Sequence, residues 1–152
     1  MKTLLIISGI SGSGKSTLAE TLIKRATHFD QSIEDDFCGS IICTADDYFM
    51  VDGEYKFDSS KLGEAHKACI QKCEDSMQVE LELIIVANTT TDKKSAKPYL
   101  DMAKQYGYNT HWTITVPHHS GTNQHDVPHI VLSRQASNLQ DTLEEVHKEF
   151  LR

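Results

Sequence analysis

The chain has 152 residues, 39% of them hydrophobic, and 22 acidic against 15 basic side chains give it a formal charge of -7 at pH 7. A chain of this size buries about two thirds of its unfolded surface, enough for one core and not two, and no linker or repeat divides it, so residues 1–152 are expected to form a single domain. Its only arginines are Arg25, Arg134 and Arg152, a balance that argues against tracking an extended duplex, which needs many cationic phosphate contacts, while leaving a nucleic-acid end or a small molecule open as partner.

The first element is the apolar run Leu4-Leu5-Ile6-Ile7. It is too short for a signal sequence and reads as a core strand, and with no membrane segment elsewhere a reduced, cytoplasmic protein is expected. It leads directly into Gly9-Ile10-Ser11-Gly12-Ser13-Gly14-Lys15-Ser16, a full match to the phosphate-binding loop G-x-x-x-x-G-K-[ST]. The strand delivers the chain to a tight turn whose backbone N–H groups point inward at a phosphate, and a helix starting near Ser16 adds its positive end. Gly9, Ser11, Gly12, Ser13, Gly14, Lys15, Ser16 and Thr17 are therefore the expected nucleotide-binding residues. Lys15 reaches the β- and γ-phosphates of ATP, and the Ser16 hydroxyl is the expected magnesium ligand.

Leu18, Leu22, Ile23 and Ala26 place one apolar face on a helix over residues 17 to about 27, and Ile41-Ile42-Cys43-Thr44 reads as a short buried strand. The alternation continues with a helix over about 59–77, a strand at 81–86, a helix at 95–106 ending at Gly107, and a strand at 110–116. A last helix spans about 139–150, with Leu139, Leu143, Val146 and Phe150 on its inner face. Strands alternating with amphipathic helices imply an α/β fold of the P-loop NTPase type, three-layered α/β/α around a parallel sheet of four to five strands. Cys69 and Cys73, four apart on the 59–77 helix, fall on its core stripe beside Leu62, Ala65, Ile70 and Met77; a zinc site would need further ligands at ligand spacing.

Ligands of such sheets bind beyond the carboxyl ends of the strands. After the second strand stands Thr44-Ala45-Asp46-Asp47-Tyr48-Phe49, two carboxylates across from the phosphate loop. A carboxylate there is placed to take a proton from an attacking hydroxyl; a magnesium-side carboxylate and a solvated turn are the alternatives.

The run from Asp46 to Asp58, D-D-Y-F-M-V-D-G-E-Y-K-F-D, resembles a segment of polynucleotide-kinase-like P-loop proteins, in particular the kinase domain of animal ubiquitin-ligase-binding proteins and, more distantly, phage polynucleotide 5′-kinase. The resemblance extends to L-x-x-A-H at Leu62 to His66, Asn88-Thr89, Lys97-Pro98-Tyr99, and the lid element Asn123, His125, Val127 and Pro128, so it runs from residue 1 to about 132. It implies ATP- and magnesium-dependent phosphorylation of a 5′-hydroxyl, with Asp46 as general base and His66 shaping the acceptor pocket, an ordinary core or surface histidine being the alternative for His66. Phe49 stands where the phage enzyme has arginine, a replacement the animal branch shares. Thr122 stands where relatives place a lid arginine, Ala87 where an aspartate ends the third strand, and Thr90 where they have asparagine.

The lid, residues 117–127, contains no Lys or Arg. An arginine at a phosphoryl-transfer site is worth on the order of 10³ to 10⁵ in rate. Arg134, on the helical stretch just after the lid, and the histidines His118, His119, His125 and His129 are the candidate substitutes, with ordinary surface roles as their alternative. The expected activity is transfer of the γ-phosphoryl group of ATP to a hydroxyl, foremost a nucleic-acid or nucleotide 5′-hydroxyl. The rival readings are a kinase for another small hydroxyl compound and an ATP-binding protein with little transferase activity.

Overall fold

In the computed structural model, residues 1–28, 39–116 and 127–150 are described. Four strands form one sheet: β1 (Thr3–Ser8), β2 (Ser40–Cys43), β5 (Leu83–Val86) and β6 (Asn109–Ile114). Their order is β2-β5-β1-β6 and every pairing is parallel, with Leu4 opposite Ile84 and Thr110 and Ile41 opposite Ile84. The four strands and the alternation with helices match the architecture expected from the sequence.

Period-two alternation decides what each face carries. Leu4, Ile6, Cys43, Ile84 and Val86 point to one side, where they pack with Ala65, Cys69, Cys73 and Met77 of α2 (Leu62–Gln78) and Ala96, Tyr99, Met102 and Ala103 of α3 (Lys93–Tyr106). Ile7, Ile85 and Ala87, with Leu5, Ile42 and Leu83, point to the other, against Leu18, Ala19, Leu22 and Ile23 of α1 (Lys15–His28). Cys69 and Cys73 thus lie in the core, and Cys43, Cys69 and Cys73 are free thiols.

The handedness of the crossovers fixes the faces. The chain moves one way from β1 to β2 and the opposite way from β2 to β5 and from β5 to β6. Right-handed crossovers therefore put α1 on one side of the sheet and α2 and α3 on the other. Because β1 and β5 are neighbours whose following helices leave on opposite faces, a crevice opens between their carboxyl ends.

Several boundaries differ from expectation. Residues 50–55 form a hairpin absent from the sequence reading: β3 (Met50–Val51) pairs antiparallel with β4 (Glu54–Tyr55) around Asp52 and Gly53, whose φ angles of 53° and 81° make the mirror-image turn that suits a two-residue loop. Residues 59–61 are a separate 3-10 turn capped by Asp58, and α2 starts only at Leu62. The last helix, α4 (His129–Phe150), begins ten residues before the expected start. The Pro128 carbonyl accepts from the amides of Val131 and Leu132 and starts it, although the stretch 133–138, polar but for Ala136, hides the apolar period. Its inner stripe runs through Gln135, Leu139, Thr142 and Val146, while Leu143, expected inside, is 47% exposed. Among the described residues, no helix is long and apolar enough to cross a membrane.

Candidate active site

The carboxyl end of β1 carries the phosphate loop. Gly9 is the point of closest approach: a Cβ there would collide with the side chains of Ser13 and Thr115 and sit 2.8 Å from the Thr115 carbonyl oxygen. The loop is laced to β6 and its extension, since the hydroxyls of Ser13 and Thr115 hydrogen-bond at 2.7 Å, the Thr115 amide donates to the Ser8 carbonyl at 2.8 Å, and the Trp112 indole donates to the Ser8 hydroxyl at 2.6 Å.

Lys15 opens α1 with its side chain folded back under the loop. Its Nζ donates to the carbonyls of Gly9 at 3.1 Å and Ile10 at 2.9 Å. Burial pushes its pKa down from 10.5 to about 8, a shift partly offset by the negative charge of Asp46. The ammonium thus sits at the focus of the loop in a setting poor in solvent, without a full counter-charge from the two carbonyls that it contacts.

Across the crevice, Thr44 caps the 3-10 helix Ala45–Phe49, accepting at its hydroxyl from the Asp46 amide at 3.3 Å. The two carboxylates diverge there. Asp47 pairs with Lys72 of α2 at 2.6 Å, and Lys72 also donates to the Ile42 carbonyl at 2.8 Å. Asp46 faces the cleft and accepts from the phenol of Tyr55 at 3.1 Å. Burial and that carboxylate raise the Tyr55 phenol to about 12, so it stays protonated as a donor.

Behind the pair, buried Asn88 joins three elements. Its Oδ1 accepts from the Ala45 amide at 2.8 Å, and its Nδ2 donates to the Tyr99 hydroxyl at 3.2 Å and to Cys69 Sγ at 3.3 Å. Burial, with Cys69 nearby, pushes the Tyr99 phenol upward. The residue that fixes the backbone just before Asp46 is thereby bolted to α2 and α3.

The resulting cleft has a volume of about 980 Å³. Ser11, Gly12, Gly14, Lys15, Ser16 and Thr17 line one side; Asp46, Tyr55, Phe57, Leu62 and His66 line the other. Asn88, Thr89 and Ala87 form its base, and Val127, Pro128, Val131 and Gln135 close one end. Beside it, Ser16, Thr44, Asp46, Asp47 and Glu20 surround a recess of about 230 Å³. Lys15, Asp46, Ser16 and His66 are therefore brought together as the sequence reading expected. Gly9 and Ser13 form the loop without lining the cleft.

Arg134 is exposed and outside the lining; its neighbour Gln135 faces inward and accepts from the Ser11 amide at 3.0 Å. Tyr55, Phe57, Asn88 as a tether, and Gln135 are the residues that sequence reasoning missed. The Asp52-Gly53 turn signal and the three- and four-residue spacing from Gln135 to Leu139 and Thr142 could have found two of these surfaces. Cys38, His118, His119, Thr122, Asn123 and His125 lie outside the described residues.

A family model described as an AAA domain matches residues 4–140. NEDD4-binding protein 2 of Homo sapiens is 28% identical over 144 residues, 90% of this chain and 8% of that protein. This chain thus spans only a small part of that relative's length. Among solved structures, one described as a Pnkp1/Rnl/Hen1 complex superposes with a TM-score of 0.53 at 21% identity, covering 88% of this chain and 38% of that one. The APS kinase CysC of Mycobacterium tuberculosis gives 0.52 at 15% identity over 94% and 97% of the two chains, and its complex with AMPPNP and APS gives 0.50 at 14% over 88% and 68%. These likenesses establish a kinase-like P-loop fold.

Two outcomes are expected. Asn88→Ala leaves the buried Ala45 amide without an acceptor and should cost about 1–3 kcal/mol, read as a lower urea midpoint. The second concerns protons. Lys15 has a folded pKa below its unfolded one, so in the ligand-free protein its charge costs stability below about pH 8, a cost that fades between about 8 and 10.5. Phosphate binding restores the charge, so calorimetry near pH 9 in buffers of different ionisation enthalpy should show uptake of close to one proton per ATP, absent in Lys15→Met.

Proposed function

Because the chain belongs to the AAA domain family and has a kinase-like P-loop fold, we propose that it is a polynucleotide-kinase-like enzyme that transfers the γ-phosphoryl group of ATP, with magnesium, to a hydroxyl acceptor, foremost the 5′-hydroxyl of a nucleotide or a nucleic-acid end. The observation that carries this reading is the different fate of two adjacent carboxylates: Asp47 is neutralised by Lys72, while Asp46 faces a cleft shared with Lys15 and Ser16.

The donor polyphosphate is held by the loop amides and the positive end of α1. Lys15 exchanges its bonds to the Gly9 and Ile10 carbonyls for the β- and γ-phosphate oxygens. The acceptor enters from the side of Tyr55, Phe57, Leu62 and His66, and Asp46 takes the hydroxyl proton as the oxygen attacks phosphorus. Tyr55 holds one oxygen of Asp46 and so fixes the direction in which the carboxylate presents.

The oxygen-rich recess bounded by Ser16, Thr44, Asp46, Asp47 and Glu20 suits magnesium, which takes one or two protein oxygens and completes its shell with phosphate and water. Ser16 would be its protein ligand, and the ion supplies charge neutralisation on the transferring phosphoryl group.

A second reading, an ATP-binding protein with little transferase activity, is favoured by a lid sequence without Lys or Arg and by the outward position of Arg134. A turnover assay with labelled ATP and an acceptor panel separates the two. Asp46→Asn should lower transfer by at least about 10² with ATP affinity kept. Asp47→Asn should do less; the reverse ranking would assign the base to Asp47.

The cationic deficit has its own test. Thr122→Arg should raise turnover by at least about tenfold with little change in ATP affinity, because a guanidinium meets charge that develops only in the transition state. An unchanged rate in Thr122→Arg together with loss of activity in Arg134→Ala would show that Arg134 supplies that charge.

A further inference from the structure

The last helix does more at the cleft than close one end. Gln135 of α4 accepts at Oε1 from the Ser11 amide at 3.0 Å, while the carbonyl of the same peptide unit, that of Ile10, accepts from Lys15 Nζ at 2.9 Å. The peptide joining Ile10 to Ser11 is thus held at both ends, by the cation that opens α1 and by a neutral side chain from α4. Two turns further along α4, Thr142 donates to the Thr91 carbonyl at 2.9 Å, and between them Leu139 is almost out of water. Ser11 follows β1 and Thr91 follows β5, so α4 is pinned on both sides of the crevice between those strands. The face that carries Gln135 is fixed toward the loop.

An N–H donor is met only by the oxygen of a carboxamide, so the Ser11 bond also decides which end of Gln135 is nitrogen. That NH2 group has two donors, and among the described residues no protein group accepts from either. Gln135 lines the cleft next to the apolar Pro128 and Val131, so it is the polar side chain that α4 brings there. The titratable groups of the lining are Lys15 on the loop and Asp46, Tyr55 and His66 on the opposite wall; Arg134 is exposed and outside it. In a phosphate loop the lysine is the residue that reaches the outer two phosphates, and Gln135 grips the very peptide that Lys15 touches.

We propose that Gln135 is a nucleotide-binding residue: with Oε1 locked on the Ser11 amide, its NH2 group donates to the terminal phosphate, so that α4 distinguishes a nucleotide with a γ-phosphate from one without. This rests on the kinase reading above and adds a residue to its donor site. The helix and the loop already hold the carboxamide, so little rotamer freedom is lost when the anion arrives. A hydrogen bond to a charged oxygen is also stronger than one between neutral groups. Being neutral, Gln135 adds recognition of ATP without the charge of an arginine, and it leaves the cationic deficit of the lid as it stands.

Calorimetry with magnesium and either AMPPNP or ADP tests the assignment, since AMPPNP carries the third phosphoryl group on a bridge that resists transfer. Gln135→Leu should weaken AMPPNP at least about fivefold and ADP less than about twofold, with thermal melting unchanged. Gln135→Glu keeps an oxygen for the Ser11 amide, loses the donors and adds a negative charge, so its affinity for AMPPNP should fall further, and again by more than that for ADP. If Gln135→Leu melts lower, Gln135→Glu decides by the same comparison. Equal losses for the two nucleotides would make Gln135 a brace for the loop and overturn the proposal. Tighter AMPPNP binding, the sign of a latch over a loop donor, overturns it as well, and so does unchanged binding. Transfer from labelled ATP separates this residue from the kinase reading. A Gln135-dependent preference for AMPPNP in a protein that transfers nothing keeps the proposal and sinks that reading; transfer without such a preference does the reverse; a natural sequence that binds neither nucleotide overturns both.

Discussion

A lysine ammonium held almost out of water at the end of a hydrophobic strand is the constraint around which the site is organised. Moving such a charge out of water costs several kcal/mol even after relaxation, and Lys15 is only 9% exposed. The fold meets this cost incompletely, with two loop carbonyls and the field of Asp46. Neither carbonyl carries a full negative charge, and Asp46 is held back by its bond to Tyr55. The deficit is one that the polyphosphate of the proposed reaction would fill, so the burial that makes the ammonium costly would also favour an anion beside it. The side-chain-free Gly9 and the hydroxyls of Ser13 and Thr115 keep the loop closed around the ammonium.

The second constraint is that the opposite wall must be as rigid as the loop. The strand order places the end of β2 on the far side of β5 from β1, a position that sets direction but not distance. Asn88 sets the distance. As a buried amide it offers one acceptor and one donor group, and both are used, the acceptor on the Ala45 amide and the donor toward Tyr99 and Cys69. A buried side chain so fully committed cannot rotate without leaving polar groups unpaired. The backbone that presents Asp46 is thus referred to α2 and α3, the helices of the larger core, and not to a surface loop.

Much of this was legible in the sequence, for reasons that differ by element. The strands could be read because both faces are covered, so Leu4 to Ile7 and Leu83 to Val86 are continuous apolar runs. The loop could be read because its chemistry demands fixed residues at fixed spacing. The hairpin was missed although Asp52-Gly53 is a strong turn signal, since two-residue strands leave no alternation to detect. The inner face of α4 was misassigned at Leu143 because its contacts run through the polar Gln135 and Thr142, the latter donating to the Thr91 carbonyl at 2.9 Å. A periodicity built on apolar residues cannot register a helix that docks by hydrogen bonds. Arg134 was singled out for its charge, and charge says nothing about which of two adjacent residues faces inward.

The division of Asp46 from Asp47 shows how a short segment generates asymmetry from near-identical side chains. In a 3-10 turn successive residues point about 120° apart, so one carboxylate faces α2 when the other faces the cleft. Lys72 is anchored by the Ile42 carbonyl and meets the first of these at 2.6 Å. Two unpaired carboxylates in that space would repel each other by a few kcal/mol at an effective dielectric near 20 and would compete for the same cations. Pairing Asp47 leaves one acidic charge facing the cleft from this pair. That single charge faces the buried ammonium across the cleft, the place where the proposed reaction puts the phosphoryl group between donor and acceptor. The geometry therefore orders the site by charge, with the ammonium of Lys15 on one wall of the cleft and the carboxylate of Asp46 on the other.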